Sequence, residues 1–273
     1  MLHNDIQKNM VDTYLKELAK EFNRLTGRKT SAEIIIVGGG SVLLNYDFRM
    51  NSVDVDAFNT YDSAIKDAAK IVADKFDLSQ QWLNDDFKKT ASYSPKLRQY
   101  SGYYKTFGNV LEIRTVRREY LIAMKMVSGR KYKNDLSDIL GILYYHYKKD
   151  DEITYSEIEQ AVINLYGDFS RIKGEIDRFV KSAIDNKTFV DGYNLQKKNE
   201  QNIKDNLIQF EEKYENVLNE DNVDDIINKL SDWKNEPRGD TSWLIFVVVQ
   251  FFNISKDLNL IIVVVKIYNN KNY

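Results

Sequence analysis

The hydrophobic pattern in the first half of the chain switches between helical and extended periods. Apolar residues recur at helical spacing over residues 4–26 and again over 61–76. Between them, Ala32–Val37 is a short β-branched run that predicts a buried strand. Residues 52–58 alternate apolar and acidic positions as a second strand does, and 103–116 predicts a strand or hairpin. This order predicts an α/β or α+β core.

The second half of the chain has a helical pattern. From residue 119 to 148 the pattern is helical with a break at 129–133, and four further segments follow. Those four segments are 155–166, 169–185, 201–218 and 222–234. We therefore predict two domains, a core over residues 1–148 and a helical region over 149–273, which meet at a charged stretch near residue 150.

Two apolar runs near the C-terminus stand apart from this pattern. Residues 243–252 and 258–267 are each shorter than the ~20 residues that a membrane helix needs. We predict a hairpin of two buried strands, and the alternative is a weak contact with a membrane or a partner. The N-terminus lacks the apolar stretch of a secretory signal. We therefore expect a cytoplasmic protein with no membrane partner.

Composition excludes several classes of function. The chain has no cysteine, which excludes disulfides, cysteine–zinc sites, iron–sulfur clusters and cysteine nucleophiles. His3 and His146 are its only histidines, so a Ser-His-Asp enzyme has little room. We expect His146 to be a surface or packing residue of a helix. The net charge of -2 excludes a globally basic nucleic-acid coat protein.

The segment from Val37 to Asp56 carries the candidate chemistry. A strand is followed by Gly38–Ser41, and we expect a glycine-rich turn there with Ser41 opening a helix. Small residues let backbone N–H groups approach a phosphate, and a helix N-terminus favours anions. After twelve intervening residues, Asp54 and Asp56 lie two positions apart on the next strand, so their side chains share a face. Such a pair suits a hard divalent cation.

These motifs, in this order, resemble the nucleotidyltransferase (polymerase-β-like) superfamily, most of all the AbiEii-type abortive-infection proteins of bacteria. In that subfamily an arginine and a hydroxyl residue precede the acidic pair, and Arg49 and Ser52 occupy those places. A second block, Glu119–Met126 followed by Arg130 and Asn134–Ile139, is similar to the lysine helix of the family and the Asp-x-x-Asp helix after it. The resemblance covers residues 30–145 and implies an α+β fold, a nucleotidyltransferase core with a small mixed sheet.

The resemblance also implies roles for individual residues. Asp54 and Asp56 would bind Mg²⁺ or Mn²⁺, and Lys125 would neutralise phosphate charge. Asp135 would be a further acidic residue, with Asp138 as the competing choice. The residues that would bind the nucleotide are Gly39, Gly40, Ser41, Arg49, Ser52 and Arg130. The superfamily often has a third carboxylate on a later strand, for which Glu112 is the candidate, the alternative being an outward-facing strand residue.

Two further groups of residues sit near these motifs in sequence. A basic cluster could hold an RNA backbone, and it comprises Arg114, Arg117, Arg118, Lys125, Arg130, Lys131 and Lys133. Four tyrosines interleaved with basic residues could stack bases or could simply pack in a hairpin, and they are Tyr93, Tyr100, Tyr103 and Tyr104.

Taken together, the resemblance implies Mg²⁺-dependent transfer of a nucleotidyl group from an NTP to an acceptor. RNA or tRNA, a protein side chain and a small molecule are all open as the acceptor. The AbiEii-type likeness implies the toxin of a bacterial toxin–antitoxin or phage-defence pair, with a cognate antitoxin as partner. The alternative is an inactive protein of the same fold that binds nucleic acid or a protein partner. An aminoglycoside-modifying type of transferase is a third possibility.

Overall fold

The structure, a computed structural model, describes residues 5–27, 30–58, 63–219 and 222–235. The chain divides into two compact units, Met1–Asn219 and Glu220–Tyr273. The predicted boundary at residue 148 falls inside the first unit, and a domain division there stays a prediction. The predicted C-terminal hairpin at 243–267 lies outside the described residues.

The described secondary structure consists of short strands and longer helices. The strands are β1 Ile6–Gln7, β2 Ala32–Ile36, β3 Asn51–Ser52, β4 Val55–Phe58, β5 Leu83–Asn84, β6 Ser101–Phe107 and β7 Leu111–Val116. The helices of the first unit are α1 Lys8–Leu25, α2 Gly38–Asn45, α3 Ser63–Phe76, α4 Arg118–Ser128, α5 Asp135–Tyr147, α6 Tyr155–Tyr166, α7 Gly174–Asn186 and α8 Phe189–Lys213. The second unit contains α9 Val223–Asn235. The fold is α+β, as predicted.

A mixed sheet of five strands forms the centre of the first unit, in the order β5-β4-β2-β7-β6. Strand β2 pairs in parallel with β7 and antiparallel with β4. Strands β6 and β7 form the hairpin predicted over 103–116. A separate pair joins β1 to β3.

The sheet is buried on both faces because its central strand alternates between two hydrophobic clusters. Ile34 and Ile36 of β2 pack into a cluster with α1 and α3. Ile35 and Val37 point the other way, into a cluster with α4, α5 and α6. This two-sided burial is why Ala32–Val37 is a continuous apolar run rather than an alternating one. It places the C-terminal end of β2 between the two cores.

The main difference from the predicted elements lies directly after β2. The prediction placed a turn at Gly38–Ser41, but helix α2 already begins at Gly38. Gly38 has a φ of +53°, and Gly39 and Gly40 form the first turn of the helix. A Cβ atom at Gly40 would lie 2.8 Å from Cγ2 of Ile36, so a close approach to the sheet requires glycine there. The glycines therefore set the contact between α2 and β2.

After β7, the bounds of α4, α5, α6 and α9 lie within one residue of the predicted segments, whereas α7 begins at Gly174 rather than at the predicted residue 169. The predicted break at 129–133 separates α4 from α5, and Gly129 ends α4 in the left-handed conformation. Helix α6 begins with a capping box in which Thr154 and Glu157 bond reciprocally. Helix α8 begins at Phe189, twelve residues before the predicted start at 201. Of the helices in the described ranges, none is both long and apolar enough to cross a bilayer.

Candidate nucleotide-binding site

The N-terminus of α2 opens toward the acidic strand β4. The backbone N–H of Val37 donates to the carbonyl oxygen of Asp56 at 2.9 Å, which holds the start of α2 beside this residue. A Cβ atom built at Gly38 would lie 3.6 Å from Oδ2 of Asp56. No side chain caps the first turn of α2, so its leading N–H groups are a favourable place for an anion.

Asp54 and Asp56, the predicted acidic pair, lie together at this end of the sheet. Asp54 directly precedes β4, and its Oδ2 accepts a hydrogen bond from Nδ2 of Asn84 at 3.4 Å. Asp56 lies within β4, and both carboxylates are half-buried. The two neighbours of Asp56, Val55 and Ala57, pack into the cluster with α1 and α3. Asp56 therefore points to the opposite face, where α4 and α5 lie.

The electrostatic surroundings of Asp56 are unfavourable for its ionised form. Burial raises the pKa of Asp56 to about 6, and the charge of Asp54 adds to the effect. The cations of Lys133 and Arg130 are close enough to oppose this rise, but they do not cancel it. The negative charges of Asp54 and Asp56 therefore lie close together, and the nearby cations of the chain do not balance them. A bound cation would supply the missing charge.

Lys125, the predicted phosphate ligand, is buried beneath the site in a network of ion pairs. Its Nζ lies 2.9 Å from Oδ1 of Asp135 and 2.7 Å from Oδ2 of Asp138, and the residue is 5% exposed. Arg130 reaches the other oxygen of Asp135 through Nε at 3.0 Å. Both Asp135 and Asp138 thus pair with Lys125, since one helical turn separates them on α5, and the choice between them as a site residue stays a prediction.

The direction of the pKa shifts shows that the network is charged. Burial alone would lower the pKa of Lys125, but Asp138 and Asp135 raise it above its usual value. Burial alone would raise the pKa of Asp135, yet Lys125 and Arg130 hold it well below its usual range. The ammonium of Lys125 is thus committed to two carboxylates in this arrangement, and it does not face an open phosphate position.

Arg49 connects this network to the first turn of α2. Its Nη1 lies 2.5 Å from Oδ2 of Asp138, and its Nε donates to the backbone carbonyl of Asn51. A Cβ atom at Gly39 would lie 3.0 Å from Nη2 of Arg49. The guanidinium therefore sits against the glycine turn, as the predicted nucleotide-binding role requires, but one side of it is already paired.

Phe48 fixes the loop that carries Arg49. Its ring rests against Gly141 of α5, where a Cβ atom would approach the ring carbons to 2.6 Å. Tyr193 of α8 contacts the same ring, with 5.8 Å between the two ring centroids, and donates its hydroxyl to the carbonyl of Phe48. Gly141 and Asp138 are one turn apart on α5, so the same helix face receives Phe48 and Arg49.

Gly141→Ala is expected to displace Phe48 and to destabilise the protein by about 1–2 kcal/mol. Overpacking typically costs about 1–3 kcal/mol, and we expect the upper half of that range because the Cβ atom would lie within 2.9 Å of three ring carbons. The better helix propensity of alanine offsets roughly 1 kcal/mol of that cost. Urea unfolding measures the difference. Gly174→Ala is the control, since its nearest neighbour would be 3.6 Å away. Equal stability of the Gly141→Ala protein and the wild type would contradict this account of the loop.

The remaining predicted ligands are placed less favourably. Ser41 is fully buried, and its Oγ accepts the backbone N–H of Val116 at 3.2 Å, so its side chain joins α2 to β7. Ser52 is buried with its Oγ 3.4 Å from where a Cβ atom of Gly39 would lie. Gly39 and Gly40 can offer only backbone N–H groups. Arg130 is partly exposed and shared with Asp135.

Glu112, the candidate third carboxylate, is far from the acidic pair. It is level with Glu33 at the beginning of β2, whereas Val37, which bonds Asp56, lies four positions further along. At about 3.3 Å per residue this is a separation of about 13 Å along the strands. Glu112 instead pairs with Arg114 at 3.0 Å. The structure thus favours the outward-facing alternative for this residue.

The predicted basic cluster is dispersed by the fold. Arg114 bonds Glu112 and Ser101, Arg118 pairs with Asp151, and Lys131 lies 3.6 Å from Glu175. Lys133 differs, since it is exposed on the α4–α5 loop and its charge acts on Asp56. Lys133 is thus an exposed cation near the acidic pair, whereas Lys125 is buried.

The interleaved tyrosines are mostly packing residues. The rings of Tyr100 and Tyr120 stack at 4.0 Å, and Tyr93 packs against two phenylalanines. The Tyr104 hydroxyl bonds Asp12, while Tyr103 is exposed. His146 bridges Tyr46 and Asp151 from the last turn of α5, in keeping with the expected packing role.

Glu200 of α8 is a functional candidate that the sequence analysis did not identify. It is 3% exposed, and its Oε1 accepts the backbone N–H groups of Leu136 and Ser137, each at 3.1 Å. These are the first free donors of α5, the helix that carries Asp135 and Asp138. The predicted helix began after residue 200, so no helical position pointed to this contact.

Glu200 is expected to make the stability of the fold depend on pH. Burial raises its pKa from 4.5 to about 7, and the nearby Asp138 and Asp135 contribute. The folded state therefore binds this proton more tightly than the unfolded chain, and the stabilisation it provides is lost as pH rises through 7. Relative to Glu200→Gln, the wild type should lose up to about 1.4 kcal/mol per pH unit between about pH 4.5 and 7. Urea unfolding across this range tests it, and parallel curves would contradict it.

The donors present suit Mg²⁺ in one particular way. In the described residues there is no group of three or more His, Cys, Asp or Glu side chains that could hold a metal. Mg²⁺ in phosphate-transferring sites is usually held by one or two carboxylates together with substrate phosphates. Asp54 and Asp56, beside the uncapped first turn of α2, fit this arrangement of two carboxylates with substrate phosphates.

Comparison with known proteins agrees with this geometry. Residues 13–147 match the model of a family described as "Nucleotidyltransferase of unknown function" (DUF6036). The match supports the nucleotidyltransferase superfamily predicted from the two sequence blocks, and it does not extend to the AbiEii-type subfamily. No curated protein matches the chain. No solved structure matches it either.

Proposed function

We propose that this protein transfers a nucleotidyl group from an NTP to an acceptor. The observation that carries the proposal is the placement of Asp56 beside the glycine-rich start of α2, with Gly38 and the Asp56 carboxylate in near contact. The uncapped N–H groups of α2 would bind the triphosphate, and Asp54 and Asp56 would face its oxygens. The family match supports the same class of activity.

The residues around Asp54 and Asp56 would each bind a different part of the nucleotide site. Lys133 is exposed on the α4–α5 loop and would neutralise phosphate charge. Arg49, held at Gly39, would border the triphosphate on the other side. Mg²⁺ or Mn²⁺ bound by Asp54 and Asp56 would activate the attacking hydroxyl and stabilise the leaving pyrophosphate. Lys125, which is buried, would hold Asp135 and Asp138 in place through its two ion pairs.

The acceptor and the biological role are further proposals. RNA or tRNA is the acceptor to be tested first, with a protein side chain and a small molecule as the alternatives. The AbiEii-type likeness of residues 37–56 and 119–139 supports a toxin role in a bacterial toxin–antitoxin or abortive-infection pair, with a cognate antitoxin. The second candidate function is an inactive protein of this fold that binds nucleic acid or a protein. Its supporting observation is that Lys125 is saturated by two carboxylates.

Calorimetric titration with each of the four NTPs, with and without Mg²⁺, tests the proposal. We expect Mg²⁺-dependent binding of at least one NTP, followed by label transfer from that NTP to a component of total RNA. Absence of binding for all four NTPs would refute the transferase and favour the second candidate. Binding without transfer to RNA would leave protein or small-molecule acceptors to be tried.

A further inference from the structure

The first turn of α5 takes its cap from another helix. Asn134, which precedes α5, gives that turn no side-chain cap. Glu200 of α8 takes this place, since one of its oxygens accepts both the Leu136 and the Ser137 N–H groups. A carboxylate is favoured there by the positive end of the helix. Helix α8 thus holds the part of α5 from which Asp135 and Asp138 project.

We propose that Glu200 is a positioning residue for the candidate site, which it orders through the first turn of α5. The connection has three steps, each a direct contact. Glu200 fixes the backbone of α5, Asp138 on that turn holds Arg49 and Lys125, and Arg49 lies against Gly39 of α2. The expected effect of Glu200 on nucleotide binding rests on the proposed function, whereas its expected effect on Lys125 does not.

Stability alone gives a poor account of Glu200. Its second oxygen, Oε2, is buried and has no hydrogen-bond partner among the described residues. Two further carboxylates, Asp135 and Asp138, act on it through their charge. A buried acceptor without a hydrogen-bond partner is rare and lowers the stability of the fold. The residue also lies outside the matched segment 13–147, on helix α8.

Reactivity of the Lys125 amine is the direct test. The full-length protein would be treated with acetic anhydride at about pH 8, and acetylation at Lys125 would be quantified by peptide mass spectrometry. Amide hydrogen exchange at residues 135–138 would be followed in parallel. For Glu200→Ala we expect both rates to rise by about tenfold or more, because two charge-assisted bonds at the helix end are lost.

Three variants on α8 make the result specific. Glu200→Gln keeps a carbonyl acceptor, so it should restore protection of Lys125 to within about threefold of the wild type. Leu207→Ala weakens the packing of the same helix and should lower the melting temperature without exposing Lys125. Glu212→Ala changes an exposed acidic residue and should alter neither.

The outcomes decide between positioning and general stability. Unchanged Lys125 reactivity in Glu200→Ala would overturn the proposal, as would Leu207→Ala exposing Lys125 equally at the same loss of melting temperature. If Glu200→Ala does not fold, Glu200→Gln carries the test, and exposure of Lys125 in that variant overturns it. In any variant in which Lys125 becomes more reactive, the Mg²⁺-dependent affinity for NTP should also fall. If the wild type binds no NTP, the proposed function fails while the Lys125 result still stands.

Discussion

Asp56→Asn is expected to abolish Mg²⁺-dependent NTP binding and to reduce nucleotidyl transfer by at least about 100-fold. Changes around metal sites commonly cost 10–100-fold even when the ligands themselves are kept, and here a proposed ligand loses its charge. Because asparagine has the same shape, the strand and the Val37–Asp56 backbone bond are preserved. The change therefore removes the charge beside Asp54 and little else.

The same substitution should leave the fold as stable as the wild type or more stable. Burial and the charge of Asp54 raise the pKa of Asp56, so its ionised carboxylate is a cost that asparagine removes. Loss of activity with gained stability is the pattern expected of a functional site. Asp67→Asn is the matched control, since Asp67 is exposed on α3 and pairs with Lys70. Retained Mg²⁺-dependent binding in Asp56→Asn would refute the site.

Lys125→Met is expected to destabilise the protein by about 3–5 kcal/mol. The side chain is buried between Asp135 and Asp138, and methionine would fill its volume without compensating two buried carboxylates. Arg130 and Arg49 would each still pair with one of them. The loss should appear in urea unfolding at pH 7.

The matched control is the same change at an exposed helix position. Lys70 lies 3.9 Å from Asp67 in an ion pair that is more than half exposed, and Lys70→Met should change stability by no more than about 0.5 kcal/mol. The pair of variants also separates two roles of Lys125. If the Lys125→Met protein has normal stability but no longer binds NTP, Lys125 contacts phosphate directly, as the sequence predicted.

Parts of the candidate site could be predicted because they are local in sequence. Asp54 and Asp56 share a strand face at a spacing of two, and Gly38–Gly40 precede them at the end of a buried strand. These are short-range features of the backbone, and the structure brings them together as predicted. The helical starting point of α2 was missed, because three glycines favour a turn unless packing against Ile36 supplies a reason for them.

The partners of the charged side chains could not be predicted in the same way. The sequence indicated that Lys125, Asp135 and Asp138 belong together, but not that the lysine is buried in ion pairs with both carboxylates. Glu112 looked suitable by residue type alone, and only the strand register places it about 13 Å along the sheet from the acidic pair. The contact from Glu200 spans 63 residues or more of chain to reach α5.

By itself, the sequence determined the α+β class, the order of most elements and the acidic pair at the start of β4. Hydrophobic periodicity and glycine placement act over a few residues, so they can be recognised in the sequence before the fold is known. The tertiary structure alone decided which cations are paired, which face the site and which helix caps α5. Those outcomes depend on burial and on distances between residues far apart in the chain, and no local pattern encodes either.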